Sequence, residues 1–166
     1  MMDLLLDPNG RLARNRFWQG MVVLTVINVL IVATTSYISL VYIFALFLLI
    51  YPYICVIGKR LHDLGFSAWW VLAVFAGQFV FQNLLNAVIT PIFVPMDELA
   101  DIMREIQERM KAEETEAAME GLHVQFKMLL PVSLIDVVAT NALIGGILGY
   151  MTSDPEANRF GPPTSD

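Results

Sequence analysis

The sequence predicts an all-α membrane protein: a four-transmembrane-helix bundle with an extra amphipathic helix between spans three and four. Three observations predict it. No Asp, Glu, Lys, Arg or His occurs from Phe17 to Ile57, nor from Ala68 to Met96. Charge-free apolar runs beyond about 18 residues read as membrane-crossing helices. The composition agrees, with 57% hydrophobic and 16% charged residues, against about 45–50% and about 25% in soluble domains. The charge itself is segregated, because nine of the sixteen acids lie between Asp97 and Glu120. The net charge of −6 is therefore a property of one segment and gives no support to nucleic-acid binding. A single cysteine, Cys55, excludes an internal disulfide and a multi-cysteine metal site.

The chain is short enough to be one polytopic domain, residues 1–166. It opens with a basic segment carrying Arg11, Arg14 and Arg16. The apolar run that follows outlasts the core of a secretory signal peptide and has no small-residue cleavage site after it, which argues for a retained span. The charge-free stretch from Phe17 covers 41 residues. As one helix it would reach about 60 Å, twice the bilayer's hydrocarbon thickness. It must turn, and Thr34-Thr35-Ser36 is the only polar break. The expected spans are therefore 17–33 and 37–57.

A polar island follows, Gly58 to Trp70, with Lys59, Arg60, His62 and Asp63 between two glycines. Its adjacent tryptophans mark a membrane boundary. The third span, 68–89, is closed by Thr90-Pro91 and carries Gln78, Gln82 and Asn86 at i, i+4 and i+8. Those three amides share one helical face, which should turn towards other helices rather than lipid. Residues 97–121 form the acidic amphipathic segment, with Leu99, Ile102, Met103, Ile106 and Met110 at helical spacing. Asp97 is its expected N-cap and Gly121 its expected stop. The fourth span, 128–150, carries Asp136 between Ser133 and Thr140, then Gly145 and Gly149. That glycine pair permits close helix approach and offers a face for a homo-oligomer. A polar tail, 151–166, should lack regular structure except where it docks.

Orientation follows from the basic residues, which collect in cytoplasmic loops. The N-terminal segment and the island are basic and are separated by an even number of spans. The loop after span three holds Arg104, Arg109, Lys111 and Lys127 against nine acids. The expected arrangement is multi-pass, with both termini cytoplasmic and the acidic segment outside.

Three motifs carry a resemblance. Gly10-Arg11-Leu12-Ala13-Arg14-Asn15-Arg16-Phe17-Trp18 resembles the G-R-x-x-R-x-x-[FY]-W opening of the domain of unknown function 805 family. Lys59-Arg60-Leu61-His62-Asp63-Leu64-Gly65-Phe66-Ser67-Ala68-Trp69-Trp70 resembles its R-R-L-H-D-x-G-x-S-G-W-W motif, with Ala68 at the usual Gly. Asn158-Arg159-Phe160-Gly161-Pro162 is similar to its N-x-[YF]-G-x ending. The resemblance implies a small bacterial inner-membrane protein of unassigned activity. The acidic segment is longer than that family's usual connection.

Two candidate sites result. The first is a cytoplasmic cluster, binding or structural, of Arg11, Arg14, Lys59, Arg60, His62, Asp63, Asn158 and Arg159. It could hold an anionic lipid headgroup or a protein partner, or it could simply fix the chain at the bilayer surface. The second is Asp136 with the amides Gln78, Gln82 and Asn86, an intramembrane polar group suited to helix packing or to a solute or proton pathway. The leading expectation is a scaffold or binding protein acting through the cluster. The alternative is a small transporter or channel subunit acting through Asp136. No Ser-His-Asp, H-E-x-x-H or P-loop pattern occurs, so no catalytic residue is assigned and only His62 and Asp63 could serve an acid–base enzyme. No metal and no cofactor is implied.

Overall fold

A computed structural model describes residues 2–164 and contains seven α-helices and one 3₁₀ turn. The helices are α1 (Met2–Leu6), α2 (Arg14–Tyr37), α3 (Phe44–Asp63), α4 (Trp70–Phe93), α5 (Met96–Lys111), α6 (Thr115–Met128) and α7 (Leu130–Tyr150). The 3₁₀ turn Leu40–Ile43 leads directly into α3. Four segments are long and apolar enough to cross a membrane: Arg14–Tyr37, Leu40–Asp63, Trp70–Phe93 and Leu130–Tyr150. The chain is a multi-pass membrane protein.

Several boundaries differ from the expected ones, each for a local physical reason. The first span does not stop at Thr34-Thr35-Ser36. Those three hydroxyls donate back to the carbonyls of Leu30, Ile31 and Val32, as Ser and Thr do inside membrane helices. The reversal comes at Ile38–Ser39, where the Ser39 hydroxyl accepts from the Val41 amide. Span three passes through Pro91 and ends at Phe93, because Val94 is drawn into an extended conformation before Pro95.

The polar island is not a loop in its first half. Gly58 to Asp63 continue α3 as its last two turns, and the chain turns only at Leu64–Gly65, where Gly65 has φ +82°. Gly58 lies within the helix and makes no reversal, and its Cα faces Ala68 and Val71.

The acidic segment is a pair of helices. Pro95, not Asp97, caps α5, and Asp97 and Glu98 occupy its first turn, where acids suit the helix dipole. The chain turns at Ala112–Glu114 and returns as α6. Gly121 lies inside α6 and stops nothing. A Cβ there would stand 2.8 Å from Ile106 Cγ1, so this glycine is what lets α6 lie against α5. Leu99 and Ile106 are the buried residues of α5.

Helices α2 and α7 pack along each other as the centre of the bundle, with α3 on α2 and α4 on α7. The main apolar cluster draws Phe17, Met21 and Leu24 from α2, Val56, Ile57 and Leu61 from α3, and Ile144 and Leu148 from α7. A second cluster of Ile89, Val94, Leu99 and Val132 ties the far end of α4 to α5 and α7. Helix α4 is peripheral: only Val71 and Ile89 are buried in it. The Gly145/Gly149 face, expected to meet another copy, is filled within the chain by Trp18 of α2. Cβ atoms at the two glycines would lie 2.8 and 2.7 Å from its indole ring.

Candidate functional sites at the two ends of the bundle

The three sequence motifs converge at one end. The carboxylate of Asp63 is fully buried and accepts from Arg60 Nη1 at 2.6 Å, Arg11 Nε at 3.0 Å and Thr164 Oγ1 at 2.7 Å. Each guanidinium also binds backbone. Arg60 donates to Leu148 O at 3.0 Å and Met151 O at 2.7 Å, satisfying carbonyls at the C-terminus of α7 that no helix amide can reach. Arg11 donates to Glu156 O and Asp154 O in the tail. Lys59 Nζ donates to Asp3 O and Leu4 O, pinning α1 to α3.

The tail docks on the end of α3. The Asp154 amide donates to Asp63 O, and Asn158 Nδ2 donates to His62 O. His62 Nδ1 donates to Gly10 O at 3.0 Å, and its ring stacks on Phe160 at 3.8 Å and 6°. His62 and Asp63 thus engage separate partners and share no hydrogen bond among the described residues, which leaves the acid–base reading without geometry. Arg14 begins α2 and is half-buried, while Arg159 is exposed, with its guanidinium 4.7 Å from the Phe160 ring centre. The cluster is a clasp whose donors face the chain's own carbonyls.

Asp154 gives the clasp a pH response. Its carboxylate accepts from the Glu156 amide and from Asn158 Nδ2, and these bonds hold its pKa below the ordinary 3.8. A carboxyl lowered in the folded state stabilises above its unfolded value and loses that contribution as pH falls through the folded one. The tail should therefore loosen below about pH 4. Limited proteolysis of the tail should show it, with cleavage rising on acidification in the native chain. In Asp154→Ala, cleavage should already be fast at pH 7 and should change little with acid. Equal protection of both chains at neutral pH would rule this out.

The second site lies between the spans. A cavity of about 520 Å³ separates α3 from α4 beyond their joined ends. Asn28, Val32 and Thr35 of α2 and Ser133, Asp136 and Val137 of α7 contribute to its lining. Gln78, Gln82 and Asn86 of α4 line it too, so the amide stripe and Asp136 share one space. The side chains facing the Asp136 carboxylate are Asn86, Thr140 and Gln82. Its Oδ1 is a buried atom with no hydrogen-bond partner among the described residues. Asn86, beside the carboxylate, also donates from Nδ2 to Gln82 O at 2.9 Å.

Sequence reasoning missed the amide below this cavity. Asn141 is buried, and its Nδ2 donates to Tyr53 Oη at 2.8 Å and Thr25 Oγ1 at 2.9 Å. The signal existed as one polar residue in each of three spans. Nothing local says that they meet.

Fold and sites together define a four-span membrane protein with a buried ionic clasp at one end and, towards the other, a largely apolar intramembrane cavity that carries a polar patch. Residues 5–162 match the family described as protein of unknown function (DUF805), and the chain belongs to that family. No curated protein and no solved structure matches it.

Proposed function

We propose that the protein is a small transport or channel subunit of the bacterial inner membrane, holding a solute or proton in the Asp136 cavity. One observation carries this reading: Asp136, whose carboxylate has the neutral groups of Asn86, Thr140 and Gln82 beside it and whose Oδ1 lacks a partner at hydrogen-bonding distance among the described residues, lines a 520 Å³ cavity between membrane-spanning helices. An ionisable group inside a bilayer costs about 2.5–3.5 kcal/mol even on insertion scales. A role in helix packing alone would favour pairing both oxygens, and Oδ1 has no partner at hydrogen-bonding distance among the described residues.

The recruiting role expected of the motif cluster has less support. Arg60 and Asp63 are fully buried, and the side chain of Arg11 is 2% exposed. A partner or headgroup would have to displace bonds that close the ends of α3 and α7. In this reading the cluster is structural, and the clasp end faces the cytoplasm. The N-terminal arginines favour that orientation, and so does the acidic α5–α6 pair near the opposite end.

Proteoliposomes provide the test. Reconstituted native chain should pass protons or one member of a solute panel, and Asp136→Asn should reduce that flux to the protein-free level. A flux equal in the native and Asp136→Asn chains would reject the reading, as would no flux across protons and the whole panel.

A further inference from the structure

We propose that the Asp136 cavity takes an organic cation, an amphiphile carrying an amine or onium group, that enters sideways from the bilayer between α3 and α4. The inference rests on the cavity being the functional site and adds the charge and route of its occupant.

Charge comes first. The described residues lining the cavity include one carboxylate and no Lys, Arg or His. The remaining polar groups are neutral amides and hydroxyls. An anion would meet only repulsion from Asp136 in a medium that screens little. A cation meets a carboxylate whose neighbours are neutral and whose Oδ1 has no partner at hydrogen-bonding distance among the described residues. A protonated amine would form a charge-assisted hydrogen bond there, and an onium group a direct charge contact.

The walls argue for an organic rather than an inorganic ion. Phe75, Phe79, Phe126 and Tyr53 line the space, and aromatic faces attract ammonium and onium groups. A bare metal ion instead needs a close cage of oxygens. A volume near 520 Å³ falls within the range that encloses a drug-sized molecule.

The route follows from helix packing. α3 and α4 approach where Gly58 meets Ala68 and Val71, and the cavity separates them from there on. Ile50 of α3 and Phe79 of α4, 46% and 67% exposed, line the cavity and also reach the lipid-facing surface. An amphiphile can keep its apolar part against these rim residues while its charge moves in to Asp136.

The test compares ions of one shape and opposite sign. Full-length protein in zwitterionic-lipid nanodiscs is titrated with tetraphenylphosphonium, tetraphenylborate and neutral triphenylphosphine oxide, with empty nanodiscs subtracted. Saturable binding of the phosphonium alone is expected, weakened roughly tenfold or more by Asp136→Asn through loss of the charge attraction and retained by Asp136→Glu. In a Cys55→Ala background, Ser133→Cys should react with a small thiol reagent, and tetraphenylphosphonium should protect it. Borate or neutral-probe binding that protects Ser133→Cys as well as the phosphonium does would overturn the cationic class and leave the cavity standing as a site. Phosphonium binding that neither protects Ser133→Cys nor responds to Asp136→Asn would place it elsewhere and overturn the inference, leaving the site to be decided by the flux measurement. No saturable binding of any probe would overturn the inference, while proton flux sensitive to Asp136→Asn would still uphold the site.

Discussion

Replacing Asp63 with alanine should destabilise the protein more than any other change in the motif cluster, by about 3–5 kcal/mol. The carboxylate is the shared counter-charge of two guanidiniums that have almost no access to water, Arg60 at 2.6 Å and Arg11 at 3.0 Å. Asp63→Ala would leave both charges buried, and their desolvation would no longer be offset. The Thr164 bond goes as well, so the tail should come away with the loss of stability. Arg11→Ala should cost less, because Arg60 and Asp63 would remain as a neutral pair. Arg60→Ala should fall between, since it also strips the α7 carbonyls of Leu148 and Met151 of their donor. Equilibrium denaturation of the three variants in nanodiscs checks the order. The experiment also separates a clasp from a recruiting surface. A surface would give an Arg60→Ala protein of native stability that no longer captures a partner, whereas a clasp gives one that unfolds early.

The buried charges also show what local pattern can and cannot reveal. Spans were legible because lipid permits few charges, so the charge-free runs mark them to within a few residues. The end of α3 was not legible. Lys59 to Asp63 look like a loop because four polar side chains within five residues normally need water. Here Arg60 finds acceptors at Leu148 and Met151, and Lys59 finds them at Asp3 and Leu4. A helix can carry such residues when distant chain satisfies them, and sequence spacing does not show that distance closing. Thr34 to Ser36 misled in the same way at smaller scale, since their hydroxyls are satisfied one turn back within α2.

Asp136 stood out for the opposite reason: it is the one ionisable residue in an otherwise apolar run, and its position alone raised the question. The amide stripe on α4 had a period, which announced a face. Asn141 had neither a charge nor a period. Its role exists only through Tyr53 and Thr25 on two other helices. The clasp and the cavity then divide the work of the fold. The clasp fixes the ends of α3 and α7, while further along the bundle the cavity separates α3 from α4, the least buried span, which borders it without closing it.

The glycines of α7 should matter through Trp18 and not through a second copy of the chain. A methyl at Gly149 would stand 2.7 Å from Trp18 Nε1, and one at Gly145 would stand 2.8 Å from Cζ3 of the same ring. The indole is held in place, edge-on to Tyr150 at 6.3 Å and tilted against Phe17 at 6.4 Å. Gly149→Ala should therefore cost about 1–3 kcal/mol as an overpacked contact, and Gly145→Ala a similar amount. Both methyls push on one ring, and once it has moved for the first it has partly moved for the second. The double variant should consequently lose less than the sum of the two. In a Trp18→Ala background the sign should reverse: alanine at 149 then fills vacated space and is the better helix former, by about 1 kcal/mol. Denaturation of the four chains (native, each single and Trp18→Ala/Gly149→Ala) measures the coupling directly. If the glycine face instead served self-association, Gly149→Ala would weaken an oligomer in a concentration-dependent way, and Trp18→Ala would give no rescue. The packing within the chain predicts the rescue, because at these distances the ring and the added methyl cannot both keep their places.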